Sequence, residues 1–401
     1  MKFLFIIPFY KPAHVYGGPT YSIPTICEAL VKAGSQVTVY TTNANGKKDF
    51  EIDPEEPQNI NGVQVHYFKR TFPKRYFFSF GFTIACFKNI SRSRFDIIYI
   101  FANWVYPFLP ACLAAKAANI PYIISPRASF KENAWVGKFA KKLIYHLFLE
   151  RYLIQKASLI HYTTKLEADQ SAWMRLSAPS VIVPNPINQQ EFVSLPEKGL
   201  FRKNFKISEN LRLILILGRI DPDKGLDIAL KSINSIVRTM PNIILVIAGP
   251  EEENYIPKLC HLAKELGVEA NILFTGLLSP TQRIEALIDA DLLFSPSRSE
   301  NFGMSIVEAM ASGTPVIVSN QVGVSEIIQR EAAGLVFPLD PDQMAKGIIE
   351  LLNNPQMRNE LIRKAKQTVN QEFSAEAVAM QYQQMAKTIH LASIPRAVRN
   401  Q

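Results

Sequence analysis

The chain has 401 residues, of which 48% are hydrophobic and 20% are charged. These proportions are ordinary for a globular protein of two or three domains. No run reaches the roughly 20 apolar residues of a membrane-spanning helix. The four cysteines, Cys27, Cys86, Cys112 and Cys260, show neither C-x-x-C pairing nor histidine partners at zinc spacing, which favours free thiols in a reducing compartment.

The formal net charge of +9 is unevenly distributed. Residues 1–190 contain 22 Lys and Arg against 11 Asp and Glu, a net +11, whereas residues 191–401 contain 22 against 24, a net −2. The excess surrounds an aromatic cluster at residues 76–82 and comprises Lys69, Arg70, Lys74, Arg75, Lys88, Arg92 and Arg94, with a second group at Lys138, Lys141 and Lys142.

Basic residues beside exposed aromatic residues suit an anionic membrane surface. Core aromatics beneath solvated lysines explain the stretch 69–95 equally well. Nucleic acid is the rival partner, but no recognised binding motif accompanies the charge. Peripheral contact with an anionic membrane and a merely solvated basic surface therefore both stay open, whereas no contact with nucleic acid is expected.

The amino terminus predicts a buried strand over residues 3–9. A signal peptide is disfavoured because Pro8 interrupts the apolar run and no small-residue cleavage site follows. A glycine turn and an amphipathic helix over residues 21–33 come next. Further continuous apolar strands are predicted at residues 36–42, 63–68, 97–101, 122–125, 159–162 and 181–184. Such strands, separated by helices, are typical of a parallel sheet covered on both faces.

Residues 185–206 show no convincing period and hold several breakers, which predicts a linker. The pattern restarts with strands at residues 213–217, 243–248, 272–275, 292–295, 315–319 and 334–337. Helices are predicted at residues 226–239, 255–266, 281–289, 344–353 and about 372–392. The sequence thus predicts an α/β chain with two doubly wound parallel-sheet domains, residues 1–190 and 191–373, followed by a terminal segment, 374–401.

The stretch 294–320 combines a strand, a polar loop, a helix from about Ser305 and a second strand. Open α/β sheets bind ligands beyond the carboxyl ends of their strands, where this loop is expected. Its backbone N–H groups and helix dipole suit a phosphate, whereas Glu300 and Glu308 suit hydroxyl groups. A nucleotide sugar has both parts. The alternative is that Ser305 and Glu308 form a capping box and Glu300 is merely solvated.

The turn at residues 218–225 directly follows a strand. Its Arg219 and Lys224 can bind a diphosphate through charge-assisted hydrogen bonds. Fixed cations also stabilise a departing oxyanion, so the sequence predicts catalysis without a metal ion. The alternative is a surface turn with ordinary ion pairs to Asp221 and Asp223.

A glycine pair, Gly17 and Gly18, lies between the first strand and the first helix. Glycine lets the backbone approach a ligand closely, although a tight strand-to-helix turn needs it as well. The dinucleotide fingerprint G-x-G-x-x-G is absent from both halves.

The block SENFGMSIVEAMASGTPVI, with its E-x7-E pair Glu300 and Glu308, resembles the signature of retaining glycosyltransferase family 4. The resemblance implies the GT-B fold, in which two Rossmann-like domains face each other across a cleft and the last helices return to the first domain. The first domain would bind the acceptor and the second the nucleotide sugar.

The same resemblance assigns roles to individual residues. Arg219 and Lys224 match the positions that bind the donor diphosphate and stabilise the leaving group. Glu300 would contact the donor sugar and Glu308 the ribose. The backbone of Asn301, Phe302, Gly303 and Met304 would reach the phosphates, and Gly17 and Gly18 would approach the donor phosphate or the acceptor.

The chain departs from the family at Arg127, because many members have a histidine there, near the reacting sugar. An arginine cannot shuttle protons at neutral pH, but it can hold a donor phosphate or an anionic acceptor. His14 and His161 remain candidate site histidines.

These features predict an enzyme that moves a hexose, with retention and without a metal ion or cofactor, from a UDP- or GDP-sugar to a hydroxyl of a glycan or lipid-linked acceptor. The predicted context is polysaccharide or lipopolysaccharide biosynthesis, in the cytoplasm or at the inner face of the plasma membrane. A small soluble acceptor, a nucleotide-sugar epimerase of the same fold and a catalytically inactive nucleotide-sugar sensor are the alternatives.

Overall fold

The computed structural model describes residues 1–46, 48–51, 56–93, 95–101, 104–132, 150–252 and 254–393. The chain divides into two compact units. Unit 1 contains Met1–Pro186 together with the segment that begins at Ala375, and unit 2 contains Ile187–Ser374. The first boundary thus falls at residues 186 and 187, where the sequence had suggested 190 and 191.

Unit 1 is built on an eight-stranded sheet in the order β10-β9-β8-β7-β1-β2-β6-β5. Its neighbours pair in parallel except β5, which is antiparallel to β6, while β3 and β4 form a separate antiparallel hairpin. The strands are β1 Lys2–Ile6, β2 Gln36–Thr42, β3 Ala44–Asn45, β4 Lys48–Asp49, β5 Gln58–Ile60, β6 Val63–Phe68, β7 Ile97–Phe101, β8 Tyr122–Ser125, β9 Leu159–Tyr162 and β10 Ser180–Ile182.

Helices cover the strands of unit 1. Within the described part of Met1–Pro186 they are α1 Pro19–Lys32, α2 Phe80–Ser93, α3 Phe108–Ala117, α4 Arg151–Gln155 and α5 Lys165–Ser171. The central strands are apolar throughout because both of their faces are covered. In β7, every residue from Ile97 to Phe101 is at most 2% exposed.

Unit 2 contains a six-stranded, fully parallel sheet in the order β13-β12-β11-β14-β15-β16. Its strands are β11 Arg212–Leu217, β12 Ile243–Ala248, β13 Ile272–Gly276, β14 Leu292–Ser295, β15 Val316–Ser319 and β16 Leu335–Phe337. Its helices are α6 Leu200–Asn204, α7 Leu226–Val237, α8 Ile256–Leu266, α9 Pro280–Asp289, α10 Met304–Ser312, α11 Ser325–Arg330, α12 Pro341–Asn353 and α13 Pro355–Thr368. The predicted α/β class with two parallel sheets is confirmed.

The segment predicted as a linker, residues 185–206, contains the crossing between the two units at residues 186 and 187, but the rest of it belongs to unit 2. The segment contains α6, and both Ile187 and Phe201 lie in the core of unit 2. The backbone N–H of Arg202 donates to Asp289 at 2.9 Å, and its guanidinium donates to Asp291 at 3.1 Å. The buried apolar residues of this segment follow neither the spacing of a helix nor that of a strand. The sequence therefore gives no periodic signal for its packing.

The last described helix, α14 Ala375–Ser393, belongs to unit 1 and packs against α1. Its Tyr382 is fully buried and stacks on Tyr99 with 5.0 Å between ring centroids. Tyr99 also donates to the sulfur of Met385 at 3.7 Å. The core of unit 1 is therefore assembled from both ends of the chain.

Each sheet reverses its strand order at one point. In unit 2 the chain runs from β11 outward to β13 and then restarts on the other side of β11 with β14. In unit 1 the equivalent reversal lies between β1 and β7. At such points the loops that leave neighbouring strands run in opposite directions and leave a crevice at the carboxyl ends, where α/β proteins bind ligands.

None of the helices within the described ranges has both the length and the apolar character that crossing a bilayer requires. All four cysteines are free thiols, with Cys27, Cys86 and Cys112 buried and Cys260 exposed.

Candidate functional site

The crevice of unit 2 is formed by loops that follow β11, β12 and β14, and glycine allows these loops to touch. Gly225 has φ 64°, and a Cβ there would lie 2.0 Å from the carbonyl oxygen of Pro296. Gly249 has φ 154°, and its Cβ would lie 1.8 Å from the carbonyl oxygen of Gly218. Only a residue without a side chain fits either position.

Arg298 ties the loop after β14 to the turn after β11. Its backbone N–H donates to the carbonyl of Asp223 at 2.7 Å. Its guanidinium donates two hydrogen bonds to the carboxylate of Asp227, at 2.6 and 2.7 Å. Arg298 is not predictable from the sequence, since its partner Asp227 is 71 residues away in the chain and no local pattern joins them.

The structure brings Lys224 and Glu300 together at the same point of the crevice. The ammonium of Lys224 donates to a carboxylate oxygen of Glu300, and their side chains are only 17% and 24% exposed. The aliphatic chain of Lys224 lies over Gly218, whose Cβ would be 3.4 Å from Cε. An ammonium group donates up to three hydrogen bonds, so Lys224 can contact Glu300 and a second acceptor together.

Arg219 lies on the same turn but is more exposed, at 56% of its side chain. Its Nη1 donates to Glu252 at 2.7 Å, and its Nη2 lies 3.5 Å from Asp221. Partial burial alone would lower the pKa of Arg219, but the hydrogen bond to Glu252 and the charge of Asp221 outweigh it and raise that pKa. The ion pair with Asp221 proposed as the alternative is present, and Glu252 is an additional partner that the sequence did not indicate.

The alternative interpretation, a capping box of Ser305 and Glu308, is not supported by the structure. Helix α10 begins at Met304, and its N-cap is Gly303 at φ 101°, with no side-chain cap. Residues with side chains rarely adopt such a positive φ, and a Cβ on Gly303 would also lie 2.7 Å from Cδ1 of Ile306, so glycine is favoured at this entry to the helix. Ser305 lies inside the helix and caps nothing.

The backbone of Asn301, Phe302, Gly303 and Met304 leads into the amino terminus of α10. The side chain of Phe302 is 3% exposed and packs edge-on against Phe373 at 5.8 Å. Phe302 can thus offer a ligand its backbone but not its ring. The first N–H groups of a helix have no partner within the helix and favour a negative charge.

Glu308 lies one turn further into α10 and is 7% exposed. Its Oε1 accepts from Nη1 of Arg283 at 2.5 Å, and Nη2 of Arg283 lies 3.1 Å from Glu191. Burial raises the pKa of Glu308 to about 7, although the positive charge of Arg283 opposes that rise. Arg283 and Glu191 were not predicted, since neither belongs to a recognisable local pattern.

In unit 1 the glycine pair follows β1, next to the reversal of strand order. Gly17 has φ 74°, and a Cβ there would meet nothing within 4 Å. Gly18 has helical dihedral angles, φ −44° and ψ −46°, and is the N-cap of α1. Gly17 therefore provides the turn, and the space beside it is open.

Arg127 follows β8 and has φ 50°. Its Nη1 donates to the side-chain oxygen of Asn185, and its guanidinium lies 5.2 Å from the ring centroid of Phe101. His161 is fully buried nearby, and its Nε2 lies 2.7 Å from the carbonyl of Val183. Burial, together with the charge of Arg127, lowers the pKa of His161 to about 3, so this histidine is a neutral part of the core.

The side chain of His14 and the group Lys138, Lys141 and Lys142 lie outside the described residues. Among those that are described, no three His, Cys, Asp or Glu side chains lie together as ligands of a metal ion would.

Comparison with known proteins gives consistent results for both halves. Residues 16–191 match the model of Glycosyltransferase Family 4, and residues 197–368 match the model of Glycosyl transferases group 1. An uncharacterized glycosyltransferase of Methanocaldococcus jannaschii is 28% identical over 388 residues, which cover 92% of this chain and 93% of that protein. The lipopolysaccharide 1,2-N-acetylglucosaminetransferase of Salmonella typhimurium is 33% identical over 224 residues, 53% of this chain and 58% of that protein.

Among solved structures, Anabaena HepE in complex with UDP and glucose superposes with a TM-score of 0.72 at 18% identity, covering 97% of this chain and 100% of that one. This likeness shows the fold, which is the GT-B fold of two parallel-sheet α/β domains. The two family models together account for most of the chain and for both crevices. The chain therefore belongs to the group 1 glycosyltransferases, with an amino-terminal half of the family 4 type.

Proposed function

We propose that this glycosyltransferase moves a hexose, with retention of anomeric configuration, from a UDP- or GDP-sugar to a hydroxyl of a glycan or lipid-linked acceptor. The contact of Lys224 with Glu300 at the reversal point of the sheet in unit 2 carries the proposal. This contact supports the proposal because a cation that would bind a phosphate lies beside a carboxylate that would accept from a sugar hydroxyl. Unit 2 would bind the donor and unit 1 the acceptor.

The donor diphosphate fits the cations and the helix terminus of unit 2. Lys224 and Arg219 leave the same turn, and the amino terminus of α10 lies in the loop that contains Glu300. Together they would neutralise a pyrophosphate without a metal ion, since charge-assisted hydrogen bonds to phosphate are strong. HepE, which has the same fold, is described with UDP and glucose bound.

The carboxylates suit the hydroxyl groups of the donor. Glu300 is partly exposed beside Lys224 and would accept from hydroxyls of the transferred sugar. Glu308, held by Arg283, would accept from the ribose hydroxyls. Neither is assigned as a nucleophile, because retaining glycosidases need two carboxyl groups about 5–5.5 Å apart for that chemistry.

The proposed reaction proceeds on one face of the sugar. The bond between the anomeric carbon and the phosphate oxygen breaks, and the acceptor oxygen forms its bond to the same carbon from the same side. The acceptor proton passes to the departing phosphate oxygen, and the nucleoside diphosphate leaves. Lys224 and Arg219 stabilise the charge that develops on that oxygen more in the transition state than in the ground state.

A lipid-linked or glycan acceptor agrees with the basic character of residues 1–190 and with the lipopolysaccharide substrate in the name of the Salmonella relative. The proposed setting is therefore polysaccharide or lipopolysaccharide assembly by a cytoplasmic enzyme at the inner face of the plasma membrane. Arg127 would hold an anionic group of the donor or the acceptor.

The first test is a thermal-shift panel of UDP, GDP, ADP and their sugars, in buffer with EDTA. A nucleotide at a hundredfold excess over its Kd stabilises the protein by about 2.7 kcal/mol. Stabilisation by UDP or GDP in EDTA is the expected result, and no response to any nucleotide would refute the donor assignment.

The second test follows the product. Incubation of the preferred donor with and without a lipid-linked acceptor should give a glycoside only when the acceptor is present, with the anomeric configuration of the donor by NMR. Free sugar formed without an acceptor would indicate the epimerase alternative instead.

A further inference from the structure

Helix α2 has two apolar faces, and the core uses only one of them. Phe82, Cys86 and Ile90 are fully buried in the core of unit 1. On the other side, Phe80 is 62% exposed, and Ile84 and Phe87 are each 49% exposed. The spacing of i, i+4 and i+7 aligns these three side chains in one row along the helix.

The loop before α2 extends this apolar surface. Phe72 is 92% exposed and Tyr76 is 54% exposed. Of the fifteen large hydrophobic side chains that are exposed in the described parts of the chain, five lie between residues 72 and 87. Such a concentration of exposed apolar area is typical of an interaction surface rather than of ordinary solvent-facing structure.

Basic residues border the apolar row. Lys88 and Arg92 are exposed on α2, one turn apart, and Lys69 is exposed in the preceding loop. No Asp or Glu occurs between residues 69 and 93. We call Phe80, Ile84, Phe87, Lys88 and Arg92 the outer face of α2. It is positively charged as well as apolar.

Two neighbouring basic residues, Arg70 and Lys74, share one acidic partner, so together they add a single net positive charge. Arg70 is 9% exposed, and its Nε donates to Asp49 at 2.6 Å. Lys74 contacts the other oxygen of Asp49 at 2.7 Å. These pairs hold the β3–β4 hairpin next to the loop after β6, and the buried guanidinium of Arg70 is not available to a membrane, whereas Lys74 remains exposed.

We propose that the outer face of α2 docks on the surface of an anionic lipid bilayer. The helix would lie parallel to the membrane plane, with Phe80, Ile84 and Phe87 among the upper acyl chains and Lys88 and Arg92 at the lipid phosphates. The row of aromatic and aliphatic side chains suits the acyl chains of such a surface, and the cations that border the row suit its phosphates. The inference deepens the proposed function, on which it rests for the lipid-linked acceptor.

The test is flotation of the full chain with vesicles of phosphatidylcholine alone and of phosphatidylcholine mixed with phosphatidylglycerol. Binding is expected to the anionic vesicles and to weaken as salt is raised, because salt screens surface charges. Lys88→Gln with Arg92→Gln should weaken binding about thirtyfold at low salt, at about 1 kcal/mol for each basic residue. Phe80→Ser with Phe87→Ser should weaken it by more than about tenfold.

Leu277→Ser is the matched control, because Leu277 is an apolar side chain of unit 2 that is 76% exposed. It should bind anionic vesicles as the wild type does. Failure of the wild type to bind them, or unchanged binding by both double variants, would overturn the proposal. The wild type could instead form a dimer without lipid and fail to bind vesicles. If both double variants were then monomers, the outer face of α2 would be an interface with a second copy, and the membrane proposal would be overturned.

The nucleotide thermal shift separates this inference from the proposed function. Both double variants should keep the response to the nucleotide and the transfer to an acceptor dissolved in detergent, since they alter only exposed side chains of α2. Vesicle binding without any nucleotide response would support the docking surface and contradict the donor assignment. A nucleotide response without vesicle binding would support the donor assignment and contradict the docking surface.

Discussion

The ammonium of Lys224 and the carboxylate of Glu300 are in direct contact, although 76 residues separate them in the chain. The contact joins the turn after β11 to the loop after β14 at the point where the strand order reverses. A cation and a hydrogen-bond acceptor thus lie side by side, as the proposed sugar-diphosphate donor would require.

Lys224→Met should lower kcat for transfer by roughly 10²–10³-fold, the loss typical when one fixed group that stabilises a developing oxyanion is removed. The fold should be retained, because the side chain is on the surface of the crevice. Transfer from the preferred nucleotide sugar measures the effect. Lys231→Met, on the exposed side of α7, is the control and should leave kcat unchanged. Equal kcat values in the two variants would show that Lys224 has no role in the reaction.

Glu308→Gln should change how stability depends on pH. The pKa of Glu308 is about 7 in the folded chain against an ordinary value of 4.5, so folding favours its protonated form. Its contribution to the free energy of unfolding is complete below pH 4.5 and is lost as pH rises through about 7. A shift of this size corresponds to about 3 kcal/mol.

Urea unfolding between pH 5 and about 8 should therefore show the wild type losing stability relative to Glu308→Gln, which cannot ionise. Glu269→Gln, at an exposed position in unit 2, should follow the wild type. Parallel curves for wild type and Glu308→Gln would mean that Arg283 keeps Glu308 ionised throughout.

Gly225→Ala should destabilise unit 2 by much more than the backbone strain of an alanine at positive φ would cost. The new Cβ would lie 2.0 Å from the carbonyl oxygen of Pro296 and would separate two loops of the crevice. Gly267→Ala is a close control, since Gly267 has φ 68° and nothing within 4 Å of its Cβ. We expect about 1–2 kcal/mol for Gly267→Ala and at least about 3 kcal/mol for Gly225→Ala, by urea unfolding. Equal losses would contradict the close packing of these loops.

Arg298→Lys should lower kcat/KM about tenfold while it costs about 1 kcal/mol or less in stability. Lysine keeps the charge but cannot donate two fixed hydrogen bonds to Asp227, so the loop that contains Glu300 would lose its orientation. Arg363→Lys removes a comparable two-point contact with Glu360 within α13 and should not affect kcat/KM. A similar loss of activity in both variants would assign the effect to stability alone.

Strands were the most predictable elements, because burial on both faces makes them continuous apolar runs such as RLILIL at residues 212–217. Helix α2 was not predicted, because it has apolar residues on both faces. The exposed Phe80, Ile84 and Phe87 obscure the helical spacing of the apolar residues on its buried face. Helix α13 is mostly polar, with only Leu361 and Ala365 among its apolar residues well buried, so it also gave no signal.

The candidate site was predictable only in part. Local patterns located Arg219, Lys224, Glu300 and Glu308, because each lies in a turn or block with its own sequence signature. The partners that orient them could not be found in this way. Arg283, Arg298 and Glu252 act on residues 25 to 71 positions away, and only the folded sheet brings them near.

Helix α14 has a consequence for biogenesis. It completes the core of unit 1 around Tyr382, yet it is made only after the whole of unit 2 has been synthesised. On the ribosome, unit 2 can fold as an uninterrupted segment. The sheet of unit 1 is synthesised earlier, but its Tyr99 stays uncovered until α14 has been made. A nascent chain halted before residue 375 would thus contain all of unit 2 but an incomplete unit 1.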